Sequence, residues 1–129
     1  MGPVNWVAVV LAAGVAALLG ALWHGPLFRT GRLIPQRGTA AANLGLTVFV
    51  MLIGTVMLGH NYARIGVDTL ALKPWLYWMQ SGGIAIAFII PALWLASVRA
   101  GTDIRSRLIE SGFWFVAYLA IGTVFWALS

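Results

Sequence analysis

An all-α integral membrane bundle of four helices is the fold class this sequence predicts, and three observations predict it. Apolar runs recur at about 4–24, 43–62, 74–98 and 103–128, each near the length a helix needs to cross a bilayer. Hydrophobic residues make up 61% of the chain and charged ones only 9%, with mean hydropathy +0.93; a water-soluble fold of 129 residues cannot cover that much apolar surface. The 8 Lys and Arg fall between the runs or at their ends. The chain therefore reads as one membrane domain, residues 1–129, with no room for a soluble one.

The first span, VNWVAVVLAAGVAALLGALWH, carries Ala8, Ala12, Ala16 and Gly20 at every fourth position, a row that continues to His24. Residues four apart stack along one helix face, so these small side chains form a shallow ridge that lets another helix come close. The other three spans are expected to pack around this one. The opening Met-Gly-Pro-Val-Asn-Trp lacks Lys and Arg, so it has no basic signal region and is expected to be retained. Gly25 and Pro26 are expected to end the helix. In the polar connection that follows, Leu27, Phe28, Leu33 and Ile34 alternate with Arg29, Arg32 and Arg37, as in a loop lying along the headgroups with its apolar side chains dipped inward.

The second span aligns Asn43, Thr47, Met51, Thr55 and Gly59 on one face. A partly polar row prefers a neighbouring helix to lipid, because its hydroxyls can bond across the interface or to their own carbonyls. After a short connection with Arg64, Asp68 and Lys73, Pro74 suits the first turn of the third span. Within that span Pro91 removes the partner of the Ala87 carbonyl and is expected to kink the helix. Gly83, Ala87 and Pro91 are expected to pack against a neighbour. Thr102 is expected to cap the last helix, with Asp103 in its first turn and facing Arg107.

Loops on the same side as the 29–37 connection hold six of the basic residues (Arg29, Arg32, Arg37, Arg99, Arg105, Arg107), against Arg64 and Lys73 on the other side. That asymmetry places the first set in the cytoplasm and both termini outside. Trp6, Tyr62, Trp75, Tyr77, Trp78 and Trp126 then fall near the outer ends, and Trp23, Trp94 and Trp114 near the inner ends, as two interfacial belts. The net charge of +5 and a pI near 10.9 reflect these loops and anionic lipid rather than nucleic acid, which is not an expected partner. Ala21-Leu22-Trp23 recurs as Ala92-Leu93-Trp94, too short a match to carry a repeat-based transporter.

The chain has no Cys, which excludes disulfides and thiolate chemistry. No nucleophile with a base, carboxylate dyad or phosphate loop is present, and no enzyme is expected. His24 and His60 lie at opposite ends of their spans, separated by most of a roughly 30 Å hydrocarbon layer. They cannot share a haem or metal ion within one chain; each alone could still be an axial ligand, so the cofactor stays open. No carboxylate sits at mid-membrane, against a proton-coupled carrier. Glu110 lies at the inner start of the fourth span, within reach of Arg107 and of His24. Near the outer face, Asn5, His60, Asn61, Gln80 and Ser81 are the candidate polar cluster, a shallow vestibule if the helix ends meet.

Asn5-Trp6, Gly20-Ala21-Leu22-Trp23, Pro26-Leu27-Phe28, Gly83, Ala87-Phe88 and Pro91-Ala92 together resemble the bacterial membrane family called domain of unknown function 1761. The resemblance covers nearly the whole chain and implies a four-helix protein of the bacterial inner membrane. It implies no activity, and His24 stands where that family commonly has Tyr. Two roles fit these observations. One is a structural or accessory subunit that packs with itself, as a homo-oligomer, or with other membrane subunits; the alternative is a small-solute or ion transporter or channel working as an oligomer.

Overall fold

The computed structural model describes residues 2–29 and 38–129. Arg32, Leu33, Ile34 and Arg37 lie outside the described residues. Among the described residues all regular structure is helical: α1 (Trp6–Leu22), α2 (Ala40–Ile65), α3 (Val67–Leu72), α4 (Leu76–Ile84), α5 (Ile90–Arg99) and α6 (Ile104–Ala127). Wide π-helical turns follow α1 at Trp23–Leu27 and join α4 to α5 at Ala85–Ile89. Four helical runs, Trp6–Leu27, Ala40–Ile65, Leu76–Arg99 and Ile104–Ala127, are long and apolar enough to cross a membrane, making this a multi-pass membrane protein.

Each helix begins and ends where local chemistry dictates. Asn5 caps α1, its Oδ1 accepting from the Ala8 N–H at 3.0 Å, and its amide nitrogen donates to the Leu128 carbonyl at 3.0 Å. One side chain thereby ties both chain ends together. Pro26 does not stop the first span as expected: the turn widens around it, the Phe28 N–H bonding five residues back to the Trp23 carbonyl, so the missing N–H is absorbed. Thr39 caps α2 by accepting from the Ala42 N–H, which starts that helix three residues earlier than expected.

Gly66 ends α2 at φ +91°, a backbone open mainly to glycine, and the connection then forms the short α3 with Leu70 buried. Pro74 lies in the turn before α4 rather than inside it. Pro91 stands in the first turn of α5, just after the π turn in which the Ile90 N–H reaches the Ala85 carbonyl.

Asp103, not Thr102, is the N-cap of α6. Gly101 at φ +72° closes α5: its N–H bonds the Val98 carbonyl and the Thr102 N–H bonds the Ser97 carbonyl, so Thr102 belongs to the preceding helix's C-terminal motif. Arg107 does not pair with Asp103 either. Its guanidinium donates to the Thr102 carbonyl and lies 5.9 Å from the Trp94 ring centre.

The core runs along α1. Ala8, Ala12, Ala16 and Gly20 are all buried, as is the adjacent row Val9, Ala13 and Ala17, wedged between α2 and α6. Two rows of small residues let one helix meet two neighbours closely, and close van der Waals contact is what holds helices together where lipid is as apolar as the side chains. Of the expected α2 row, Met51, Thr55 and Gly59 are buried in this wedge while Asn43 and Thr47 are only partly covered; Leu58 joins them, with Phe113, Ala117, Ile121 and Phe125 of α6. The expectation that all three other spans surround α1 fails for the third. It packs on α6 and meets α2 only marginally, because α6 stands between it and α1.

The third span turns a different face inward than expected. Gly83, Ala87 and Pro91 are exposed, and nothing lies within 4 Å of a Cβ placed on Gly83. The packing falls to Tyr77, Ser81, Gly82 and Ala85. Tyr62 and Tyr77 are also not belt residues: each is 4% exposed and their rings stack 4.9 Å apart in the core. Trp6, Trp75 and Trp126 remain exposed at that end.

A Cβ on Gly20 would stand 3.2 Å from the Phe113 ring tip and 3.7 Å from the Thr47 methyl group. Gly20→Leu is therefore expected to pry α1 from both neighbours and lower yield and thermal stability far more than Leu19→Ala, which truncates a half-buried side chain. Comparing melting of the two detergent-solubilised variants checks this; equal shifts would mean the ridge does not set the packing.

Candidate functional site

Polar side chains gather at both ends of the bundle, and the two ends differ. At the end bearing the termini, the sequence placed Asn5, His60, Asn61, Gln80 and Ser81 at one depth; the helices turn them different ways. Asn5 joins the termini. His60 bonds its own helix, Nδ1 standing 2.8 Å from the Val56 carbonyl, with the Trp6 ring edge-on at 5.8 Å. Asn61 and Gln80 line one shallow cleft, with Arg64 and Ile65, of about 350 Å³. Ser81 is fully buried, its hydroxyl donating to the Tyr77 carbonyl at 3.0 Å.

Ser81 instead belongs to a buried knot. The Tyr77 carbonyl also accepts from the Tyr62 hydroxyl at 2.7 Å, so one oxygen receives two donors from two helices. The α6 backbone comes so close here that a Cβ on Gly122 would lie 2.5 Å from Ser81 Oγ and 2.9 Å from the Tyr77 carbonyl oxygen. The knot fastens α2, α4 and α6. It presents no free functional group to a ligand.

At the opposite end, the expected contact between Glu110 and His24 forms. His24 Nε2 stands 2.9 Å from Glu110 Oε1, with the side chains 26% and 24% exposed. Glu110 is about 9 Å along α6 from its first residue, one turn past Arg105 and Arg107, so the pair sits on the helices at the inner start of the fourth span rather than in a loop. The imidazole rides on the π turn after α1, a backbone irregularity frequent at functional sites. That turn is docked by Trp23, whose indole N–H donates to the Ile109 carbonyl at 3.1 Å and whose ring faces Gly112. Phe113 then meets the His24 ring edge-on at 4.9 Å.

Around the pair the helices splay. Residues Leu44, Leu46, Phe49 and Val50 of α2 are exposed, since this half of the helix stands away from α1 and α6. Two recesses flank it. One, of about 440 Å³, runs between α1 and α2 over Ala17, Gly20 and Ala21 to His24, Asn43 and Thr47. The other, of about 210 Å³, is bounded by His24, Thr47, Met51, Glu110, Phe113 and Trp114. His24, Thr47 and Phe113 line both, so the recesses meet at the ion pair.

Sequence reasoning found the pair but not the groove. Asn43 and Thr47 read as a packing face, and Thr47 does bond the Asn43 carbonyl at 2.9 Å. What signalled more was their depth, level with both His24 and Glu110 at the same end of the bundle. Among the described residues no group of three His, Asp or Glu side chains converges as a metal site.

A family model, described as Protein of unknown function (DUF1761), matches residues 7–126. No curated protein and no solved structure gives a match.

Proposed function

The chain belongs to this family of unknown function, and since membership names no activity we propose its role from its own residues: a non-enzymatic accessory subunit that packs side by side with another membrane partner, foremost a second copy of itself. The observation that carries this reading is the exposed row Gly83, Ala87 and Pro91 on the third span. Small residues four apart allow close helix approach, and among the described residues these three stay exposed. The small-residue rows of α1 are already filled by α2 and α6, whereas the third span is buttressed on one side only.

A solute or ion pathway would need polar residues along one passage. Asn5, His60, Asn61, Gln80 and Ser81 do not share one, so the packing reading is the stronger. The asymmetry of Lys and Arg supports placement in a bacterial inner membrane with the His24 end cytoplasmic and both termini outside.

Gly83→Leu tests the role, because open space at Gly83 leaves the fold of the single chain untouched. The wild-type protein in mild detergent is expected to cross-link and migrate as an oligomer or larger assembly, and Gly83→Leu as a single chain with unchanged melting. An assembly that survives Gly83→Leu overturns the proposal.

A further inference from the structure

The groove at the His24 end has a shape and chemistry of its own, which the packing role does not use. Its smaller recess is bounded by the half-buried Trp114 and, behind it, by the buried Phe113 and Met51, so the Trp114 ring is the surface open to a flat polarisable ring. At the same place the Glu110 carboxylate, which His24 Nε2 holds on one oxygen, and the Thr47 oxygen, whose proton goes to the Asn43 carbonyl, are acceptors for a ring hydroxyl. The larger recess continues from His24 over Ala17, Gly20 and Ala21, a smooth floor of small residues suited to a slender apolar tail. Leu44 and Leu46, 51% and 62% exposed, leave the α2 side of the groove open to the surrounding lipid. Among the described residues no Lys or Arg lines either recess.

From this we propose that the groove binds a lipid-soluble quinone or quinol, its ring against Trp114 with an oxygen at the His24–Glu110 pair, and its tail along α1. The ligand enters from the bilayer between α2 and its neighbours. The proposal concerns binding alone, and no electron transfer is assigned to the site.

The experiment titrates the detergent-solubilised protein with a decyl-tailed benzoquinone, measuring retained ligand by equilibrium dialysis. Saturable binding near one molecule per chain is expected, and Val50→Trp, which plugs the smaller recess from its exposed rim while leaving the ion pair in place, is expected to weaken it at least about tenfold. Melting of Val50→Trp should match the wild type; if it does not, the near-isosteric Thr47→Val, which removes a lining hydroxyl, is expected to show the same direction of loss. Non-saturable uptake that is alike in wild type and variants overturns the proposal. So does equal competition by decanol, which has the tail without the ring, or by phosphatidylglycerol.

Discussion

Gly122→Ala is expected to destabilise the bundle by roughly 1–3 kcal/mol, although the same change in an open helix stabilises by about 0.5–1 kcal/mol. The sign reverses because of what the new methyl group meets. It would stand 2.9 Å from the Tyr77 carbonyl oxygen and 2.5 Å from Ser81 Oγ. That carbonyl is backbone and is held in place by the Tyr62 and Ser81 hydroxyls, so it cannot yield without breaking a hydrogen bond. The third span, which leans mainly on α6, should separate first. Titration with a denaturing detergent, followed by circular dichroism, reads the effect. Gly83→Ala is the matched control in open space and should be neutral or stabilising; if the two alanines behave alike, the close contact between α4 and α6 is not what secures the third span.

His24→Leu is expected to cost more than Glu110→Leu, and the double variant less than the sum. A carboxylate left without its partner in an apolar groove must take up a proton or draw in water. An imidazole left without the carboxylate loses only the contact. Replacing both removes the polar burden, and a buried pair exchanged for apolar side chains is often neutral. With side chains about a quarter exposed, removal of His24 should cost on the order of 1–3 kcal/mol, with a coupling above about 0.5 kcal/mol in the cycle. The same detergent titration on the four proteins measures it. Strict additivity would show that the 2.9 Å contact does not join α1 to α6 energetically.

How much of this could be read beforehand varies with the kind of information. Depth was legible: apolar length set the four spans, and counting residues from their ends put His24 and Glu110 at one end and His60 at the other. Caps were legible to within a residue or a few; Thr102 was misassigned because its N–H is spent on closing α5 around Gly101, a bond between two helices' ends that residue preferences do not reveal. Rotation about the helix axis was the hard part. Gly82 and Gly83 are neighbours in sequence, yet a Cβ on Gly82 would stand 3.1 Å from the Leu119 side chain of α6, whereas one on Gly83 would meet nothing within 4 Å. The polar residues near the termini share a level but scatter around it, which is why Asn61 and Gln80 line one cleft while Ser81 disappears into the core.

The sequence by itself determined that four apolar helices cross the membrane, that α1 carries the small-residue ridge on which close packing depends, and that an imidazole and a carboxylate share one end. These are properties of length and spacing, dictated by the thickness of the hydrocarbon layer and the helical repeat. Only the tertiary structure decided that α6 rather than α1 buttresses the third span, that Ser81 and Gly82 rather than Gly83, Ala87 and Pro91 face inward, and that α2 stands off to open a groove at His24 and Glu110. In lipid every side of a helix is apolar, so polarity does not choose the inward face. Shape complementarity chooses it, and that exists only once the helices have met.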